Sequence, residues 1–358
     1  MSIIIFILVL SVLIFVHELG HFLVAKKSGI RVDEFAIGFP PRLFSFVKGQ
    51  TRYALNLIPF GGYVKIYGET PDEEATNKNA SDSMINKSKL TQAAVLIAGI
   101  VFNVIFAGLI FFFLFVRGVE LNHNLVPYID QDSTVTIEYI ADESIAQKSG
   151  LSVGDVVNSV YTNETQLVTD KEEVIKLLYQ DSKQFTILEV ISPEGVVKNV
   201  SLDPTSPDDR FGFSLSNSVY VKTNPIQAAG YAFLATGHMT NLTAVGMYNF
   251  FKDLFTGQAN FEQVAGPVGI VSLVGQAADV GLNQVLLLAA IISINLAVLN
   301  LIPFPALDGG RLLIVGIESV IKRDLNYNKV AIINLVGFVL LIALMITLTF
   351  NDVKNLFN

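Results

Sequence analysis

Four stretches of this chain are long and apolar enough to cross a bilayer, and they limit the possible folds more than any other feature. A crossing helix needs about 20 mostly apolar residues to span a hydrocarbon core of about 30 Å. The runs at about 3–25, 93–116 and 331–350 meet that requirement readily. A shorter run at about 285–302 ends in a Pro-rich stretch. Only 16% of the 358 residues are charged, against about 25% in an ordinary soluble chain. The first run has no basic residue ahead of it, is too long for the apolar core of a cleaved signal, and is followed by Lys26-Lys27. It reads as a retained span.

Charge sets the expected orientation. The loop from Lys26 to Leu90 holds ten basic residues, and Arg311, Lys322, Arg323 and Lys329 follow the third span. Short basic loops stay in the cytoplasm. The segment 117–284 is acid-rich and is expected outside, together with both termini. Residues 226–251 are fairly apolar but interrupted by His238, Asn241 and Asn249. They are expected to form one or two interfacial helices, the alternative being a fifth span. Residues 68–89 are polar and read as a mobile cytoplasmic linker. The net charge of −8 excludes a nucleic-acid partner.

These readings divide the chain into an N-terminal membrane core (1–121), an extracytoplasmic domain (122–204), amphipathic helices (205–284) and a C-terminal membrane core (285–358). In the second of these, Thr134–Ile140 and Phe185–Ile191 suit strands and Glu172–Tyr179 suits a helix. The expected fold is a polytopic α-helical membrane protein of four transmembrane helices with an inserted small α/β domain.

The chemistry concentrates in His17-Glu18-Leu19-Gly20-His21. Residues i and i+4 share a helix face, so both imidazoles can reach one Zn²⁺ with Glu18 beside them as general base. The motif lies inside the first span, where an ionised group costs roughly 2.5–3.5 kcal/mol and normally faces the bundle interior. A catalytic zinc takes three protein ligands. There is no Cys and there are only four His, so the third ligand is sought among carboxylates. Asp308 is the strongest candidate. It follows the Pro303-Phe304-Pro305 break, and irregular backbone at membrane depth is tolerated only where it is buried in protein or faces water. Alone, Asp308 would read as a turn residue. His17, His21 and Asp308 share one depth only if residues 226–251 do not cross.

The paired motifs resemble the site-2 protease family of intramembrane zinc metalloproteases, and within it the bacterial regulator-of-sigma-E protease group. The H-E-x-x-H of the first span and Asn300-x-x-Pro303-x-Pro305-x-Leu307-Asp308-Gly309 carry the resemblance. Arg52–Gly68 resembles that family's membrane-associated β-hairpin, and Gly266-Pro-Val-Gly-Ile270 matches a stretch before its third span. Ala146–Val160 resembles a PDZ domain, the alternative being another small α/β domain with a tight turn. Better-known members carry two tandem PDZ domains, and this chain has room for one.

The resemblance implies one catalytic Zn²⁺ and regulated intramembrane proteolysis in a bacterial cytoplasmic (inner) membrane. Its substrates would be single-span membrane proteins, such as anti-sigma factors or signal-peptide remnants, first cut by a site-1 protease. It suggests that Asn300 binds substrate backbone or the developing oxyanion, the alternative being helix packing. Asn56 and Leu57, in the strand-like run Tyr53–Pro59, are candidates for pairing with an unwound substrate by strand addition. Asn103 reads as a packing residue, and His123 and His238 as ordinary surface or packing residues. The competing functional class is a non-catalytic, membrane-tethered PDZ binding protein. A metalloprotease acting in water and an ion transporter rank below it.

Overall fold

The computed structural model describes residues 2–69, 80–129, 133–161, 165–180, 186–203, 211–258 and 265–356. The chain forms two compact units. One comprises Met1–Ile110, Met239–Gly275 and Val285–Asn358; the other comprises Phe111–His238 and Gln276–Gln284.

Among the described residues, four helices are long and apolar enough to cross a membrane: α1 (Ser2–Lys27), α2 (Lys89–Arg117), α7 (Leu282–Leu301) and α9 (Tyr327–Leu356). β-Branched residues such as Ile3, Ile4 and Ile5 lower helix propensity in water. In lipid a helix is the way a single segment satisfies its own backbone, and that requirement wins. In the first unit α1 crosses α2 at Gly20, where a Cβ would collide with the Ala98 carbonyl. The 226–251 stretch belongs to one unbroken helix, α5 (Pro225–Thr256), and is followed by α6 (Pro267–Val280).

A small sheet packs against α1. It is built from β1 (Val32–Lys48) and β2 (Thr51–Ile66), each bent so that it contributes two segments. Val32–Ile37 pairs with Gly62–Ile66 on one side and, over Glu34–Ile37, with Arg52–Leu55 on the other. Arg52–Asn56 pairs again with Arg42–Val47. The hairpin therefore begins at Val32, well before Arg52. Pro40-Pro41 interrupts the pairing within β1, between Phe39 and Arg42.

The 68–89 linker behaves differently from expectation where it is described. Met84 starts a single 3₁₀ turn and is buried among Ala25, Ile30, Ile66 and Val95. Residues 70–79 lie outside the described residues.

The C-terminal end of α9 is tied down by Asp352. Its buried carboxylate accepts the Gly266 N–H at 3.1 Å and the Gly269 N–H at 2.8 Å, at the start of α6. A negative charge is favourable at a helix N-terminus. Both glycines are needed there, since a Cβ on either would press on Asp352. This gives Gly266-Pro-Val-Gly-Ile270 a structural reason.

The second unit holds a seven-stranded antiparallel sheet. Its strands are β3 (Val119–Asn122), β4 (Thr134–Ile140), β5 (Val156–Tyr161), β6 (Thr165–Leu167), β7 (Thr186–Ile191), β8 (Val197–Leu202) and β9 (Phe213–Val221). Their order is β3-β9-β4-β5-β7-β8, with β6 on β5. Helices α3 (Ile145–Lys148) and α4 (Lys171–Gln180) complete it. Its core gathers Val135, Ile137, Val157, Leu188, Val190 and Leu202. Each buried Val or Leu contributes about 1.5–3 kcal/mol of transfer free energy.

In the Ala146–Val160 run, Gly150 and Gly154 both take positive φ, which glycine adopts without strain. The Gly154 N–H donates to the Ile137 carbonyl at 2.9 Å. Asp155, fully buried, accepts the Ser152 N–H at 3.0 Å and the Lys198 ammonium at 3.3 Å. The sheet extends past residue 204: β9 lies in a stretch read from sequence as amphipathic helix, and β3 covers its edge over Ser218–Val221.

Candidate metal centre

Helix spacing puts His17 and His21 on one face of α1, as the motif predicts. Asp308 arrives by a different route. α7 ends at Leu301, Pro303 and Pro305 prevent its continuation, and Asp308 opens a new helix, α8 (Asp308–Ile321). Gly309 and Gly310 let that helix fold back tightly, because a Cβ on either would collide with carbonyls of Leu301, Ile302 or Phe304. Gly337 on α9 packs against Pro305, and the Asn334 Oδ1 accepts the Ala306 N–H at 3.4 Å. The break that aims Asp308 is thus held by the last helix.

The three side chains converge. His17 Nε2 lies 3.1 Å from Asp308 Oδ2, His21 Nε2 lies 3.3 Å from the same oxygen, and the two Nε2 atoms are 3.1 Å apart. Among the described residues this is the group of three His, Asp or Glu side chains positioned to share an ion. A tetrahedral zinc with bonds of about 2.0–2.1 Å sets its ligand atoms about 3.3 Å apart, so the triangle has the right size.

Its chemistry also fits. The His21 Nδ1–H donates to the Val95 carbonyl at 2.8 Å, which fixes the tautomer and leaves a lone pair on Nε2. A bare nitrogen, a second imidazole nitrogen and a carboxylate oxygen around one point are the donor set of a metal ion.

The surroundings are built for this. A Cβ on Gly99 would collide with the rings of His21 and His17, so α2 approaches the pair only because Gly99 lacks one. Asn103, one turn further along α2, is fully buried with its amide nitrogen 3.4 Å from His17 Nδ1. Glu18, next to His17 on α1, is partly buried. Glu69, at the end of the hairpin sheet, pairs with Arg311 on α8. The Arg311 guanidinium also donates to the Glu69 carbonyl at 3.2 Å. Gly99, Asn103 and Glu69 were not singled out as site residues from sequence. The signal available for the first two was a Gly-x-x-x-Asn step on the helix facing the motif.

The remaining candidates separate. Asn300 lies one residue before the end of α7 and is partly buried. Leu57 is exposed, whereas the Asn56 side chain turns into the sheet and donates to the Gly38 carbonyl at 2.9 Å. Arg52–Leu55 has a strand on each side, so the run from Tyr53 is not a free edge at its start. Among the described residues, Gly62–Ile66 pairs on one side only. Gly61, beside it, lies against Ile14, nearly one turn before His17 on α1. His238 Nε2 is 2.9 Å from the Asn124 carbonyl.

Residues 5–344 match Peptidase family M50. The chain is 32% identical over 354 residues to a candidate zinc metalloprotease of Clostridium perfringens, covering 99% of this chain and 98% of the other. It is 29% identical to the zinc metalloprotease RasP of Shouchella clausii, covering 99% of each. It is 27% identical to the regulator of sigma-W protease RasP of Bacillus subtilis, again covering 99% of each.

Proposed function

Because the chain belongs to peptidase family M50 and is a membrane-embedded zinc metalloprotease of the site-2 type, we propose that His17, His21 and Asp308 hold the zinc and that Glu18 is the general base. The reaction is hydrolysis of a peptide bond in or beside the transmembrane segment of a single-span membrane protein, one already shortened by another protease. The convergence of three donor atoms at 3.1–3.3 Å beside Glu18 carries this reading.

Zinc, when bound, supplies a Lewis acid that polarises the scissile carbonyl and activates a water. Glu18 removes a proton from the attacking water and delivers it to the departing amine. His17 and His21 keep their Nε2 atoms turned to one point, and Asp308 adds the anionic donor. Asn300 donates to substrate backbone or to the developing oxyanion.

A substrate helix has no unpaired backbone groups along its length, so it must unwind before cleavage. The unwound strand pairs with the hairpin sheet by strand addition. The outer edge of Gly62–Ile66 suits this better than the run around Asn56 does. Leu57 offers an exposed apolar contact, and Asn56 supports the sheet from within. The second unit is a PDZ domain outside a bacterial cytoplasmic membrane, on the same side as both termini.

The test is cleavage of a tagged single-span substrate in membranes, comparing wild type with Glu18→Gln, with zinc content measured on both. Loss of a general base is expected to slow cleavage by about 10²–10⁴-fold while zinc content stays unchanged. Equal cleavage by the two proteins would remove Glu18 from the role. Absence of zinc from purified wild type would remove the metal site.

A further inference from the structure

We propose that Asn103 is a positioning residue that holds His17 in the tautomer whose Nε2 is free for zinc. The proposal rests on the zinc reading above and concerns how this chain prepares its first ligand.

The two histidines are four residues apart on α1, and α2 presents a matching row at the same spacing: Val95, Gly99 and Asn103. These positions share a face of α2. Val95 offers its carbonyl to His21 Nδ1–H at 2.8 Å. Gly99 provides the room for both rings. Asn103 presents its side-chain amide to His17 Nδ1 at 3.4 Å. Each imidazole therefore meets one group of α2 behind its Nδ1, and the two Nε2 atoms turn toward Asp308.

His21 has its tautomer fixed by a carbonyl, which can only accept. His17 faces an amide, which can accept through oxygen or donate through nitrogen, and these two ends differ by a rotation that leaves the shape unchanged. If the NH₂ donated, Nδ1 would be the bare nitrogen and the proton would sit on Nε2, in the position a metal must occupy. If the oxygen faces His17, it accepts Nδ1–H and the lone pair moves to Nε2. Asn103 Oδ1, as placed, is buried with no partner. The rotation gives that oxygen the imidazole proton and moves the NH₂ to the site it vacates. The main chain at Asn103 is fixed to α7, because the Ser293 hydroxyl donates to the Asn103 main-chain carbonyl at 2.9 Å and both residues are fully buried.

The first test is zinc affinity of the purified full chain in detergent, read by competition with a chromogenic chelator. Asn103→Leu keeps the volume and removes the acceptor, and is expected to weaken zinc about 10–100-fold. Asn103→Asp restores an acceptor and is expected to stay within about tenfold of wild type. His17→Ala is the control for the site itself. If it binds zinc as tightly as wild type, the metal site is wrong and this proposal falls with it. If His17→Ala loses zinc while Asn103→Leu matches wild type, the metal site stands and the role of Asn103 is overturned. Equal weakening by Leu and Asp would overturn it as well.

A second measurement needs no variant at position 103. The ¹⁵N-histidine spectrum of metal-free wild type contains four side chains, and His17→Gln assigns one of them. A His17 proton on Nδ1 is expected; a proton on Nε2 would overturn the proposal.

Discussion

In the seven-stranded sheet the large aliphatic side chains turn inward: Ile137, Leu188, Val190 and Leu202 are buried completely. Along α9 the same residue types point outward, and Ile333, Leu335, Val336 and Leu340 are each more than half exposed. Polar residues are buried in both parts. Asn103 and Ser293 are fully buried between membrane helices, and Asp155 is fully buried in the sheet domain. One chain thus follows opposite rules for its apolar residues in its two parts because the surroundings differ. Water drives apolar surface inward. Lipid does not, and it leaves helices to associate through close packing and hydrogen bonds. Asn103, held by Ser293 and beside His17, is one such polar group, and it lies at the candidate metal centre.

The contrast predicts where a truncation should hurt. Leu188→Ala removes three carbons from a filled core and is expected to cost about 2–5 kcal/mol of that domain's stability. Its measure is the denaturant concentration at which the domain becomes sensitive to pulse proteolysis, with zinc content unchanged. Val336→Ala on α9 is expected to change little. Val336→Asp, by contrast, should cost roughly 2.5–3.5 kcal/mol of membrane insertion, read as a smaller inserted fraction of α9 in a glycosylation-mapping assay. If Val336→Ala were as damaging as Leu188→Ala, α9 would have a covered face and the contrast would fail.

The sequence was most readable where function depends on spacing within one element. His17 and His21 follow from helical periodicity, whereas Asp308 becomes a candidate only when its Pro-x-Pro break is read beside that pair. The spans follow from length and hydropathy, and Thr134–Ile140 from alternation. What stayed hidden depends on partners far away in the chain. Asn103 meets His17 across 86 residues. Gly99 matters only because α1 crosses there.

β9 escaped notice for another reason. It has an apolar period of two at Phe213, Leu215, Val219 and Val221, interrupted at Asn217. Its other face buries Ser216 and Ser218, whose hydroxyls lie 3.3 Å apart, and the stretch reads as one with the apolar run that follows it. α8 begins Asp-Gly-Gly, a poor helix start by propensity. The glycines are there for the close return onto the end of α7. At α8 a tertiary contact overrode the local signal.

The smallest expected effect concerns a buried carboxylate of the membrane helices that lies away from the metal centre. Asp352 is buried near the end of α9 and accepts two N–H groups from the start of α6. If polar groups in this unit serve as ties between helices, removing this one should loosen α9 without touching the metal. Asp352→Ala leaves two buried N–H groups unpaired, at about 1–3 kcal/mol. Asp352→Asn keeps one of the two oxygen acceptors, turns an amide NH₂ toward the other N–H, and loses the charge that favours a helix N-terminus, the charge itself being worth about 0.3–1 kcal/mol. The two variants should therefore rank alanine below asparagine below wild type in thermal unfolding in detergent, all three with equal zinc content. Equal loss in the two variants would mean that the single remaining acceptor gives no hold and that the tie needs the intact carboxylate. No loss in either would place the hold on α9 at Gly337 and Pro305 instead, where a close backbone approach replaces polar contact.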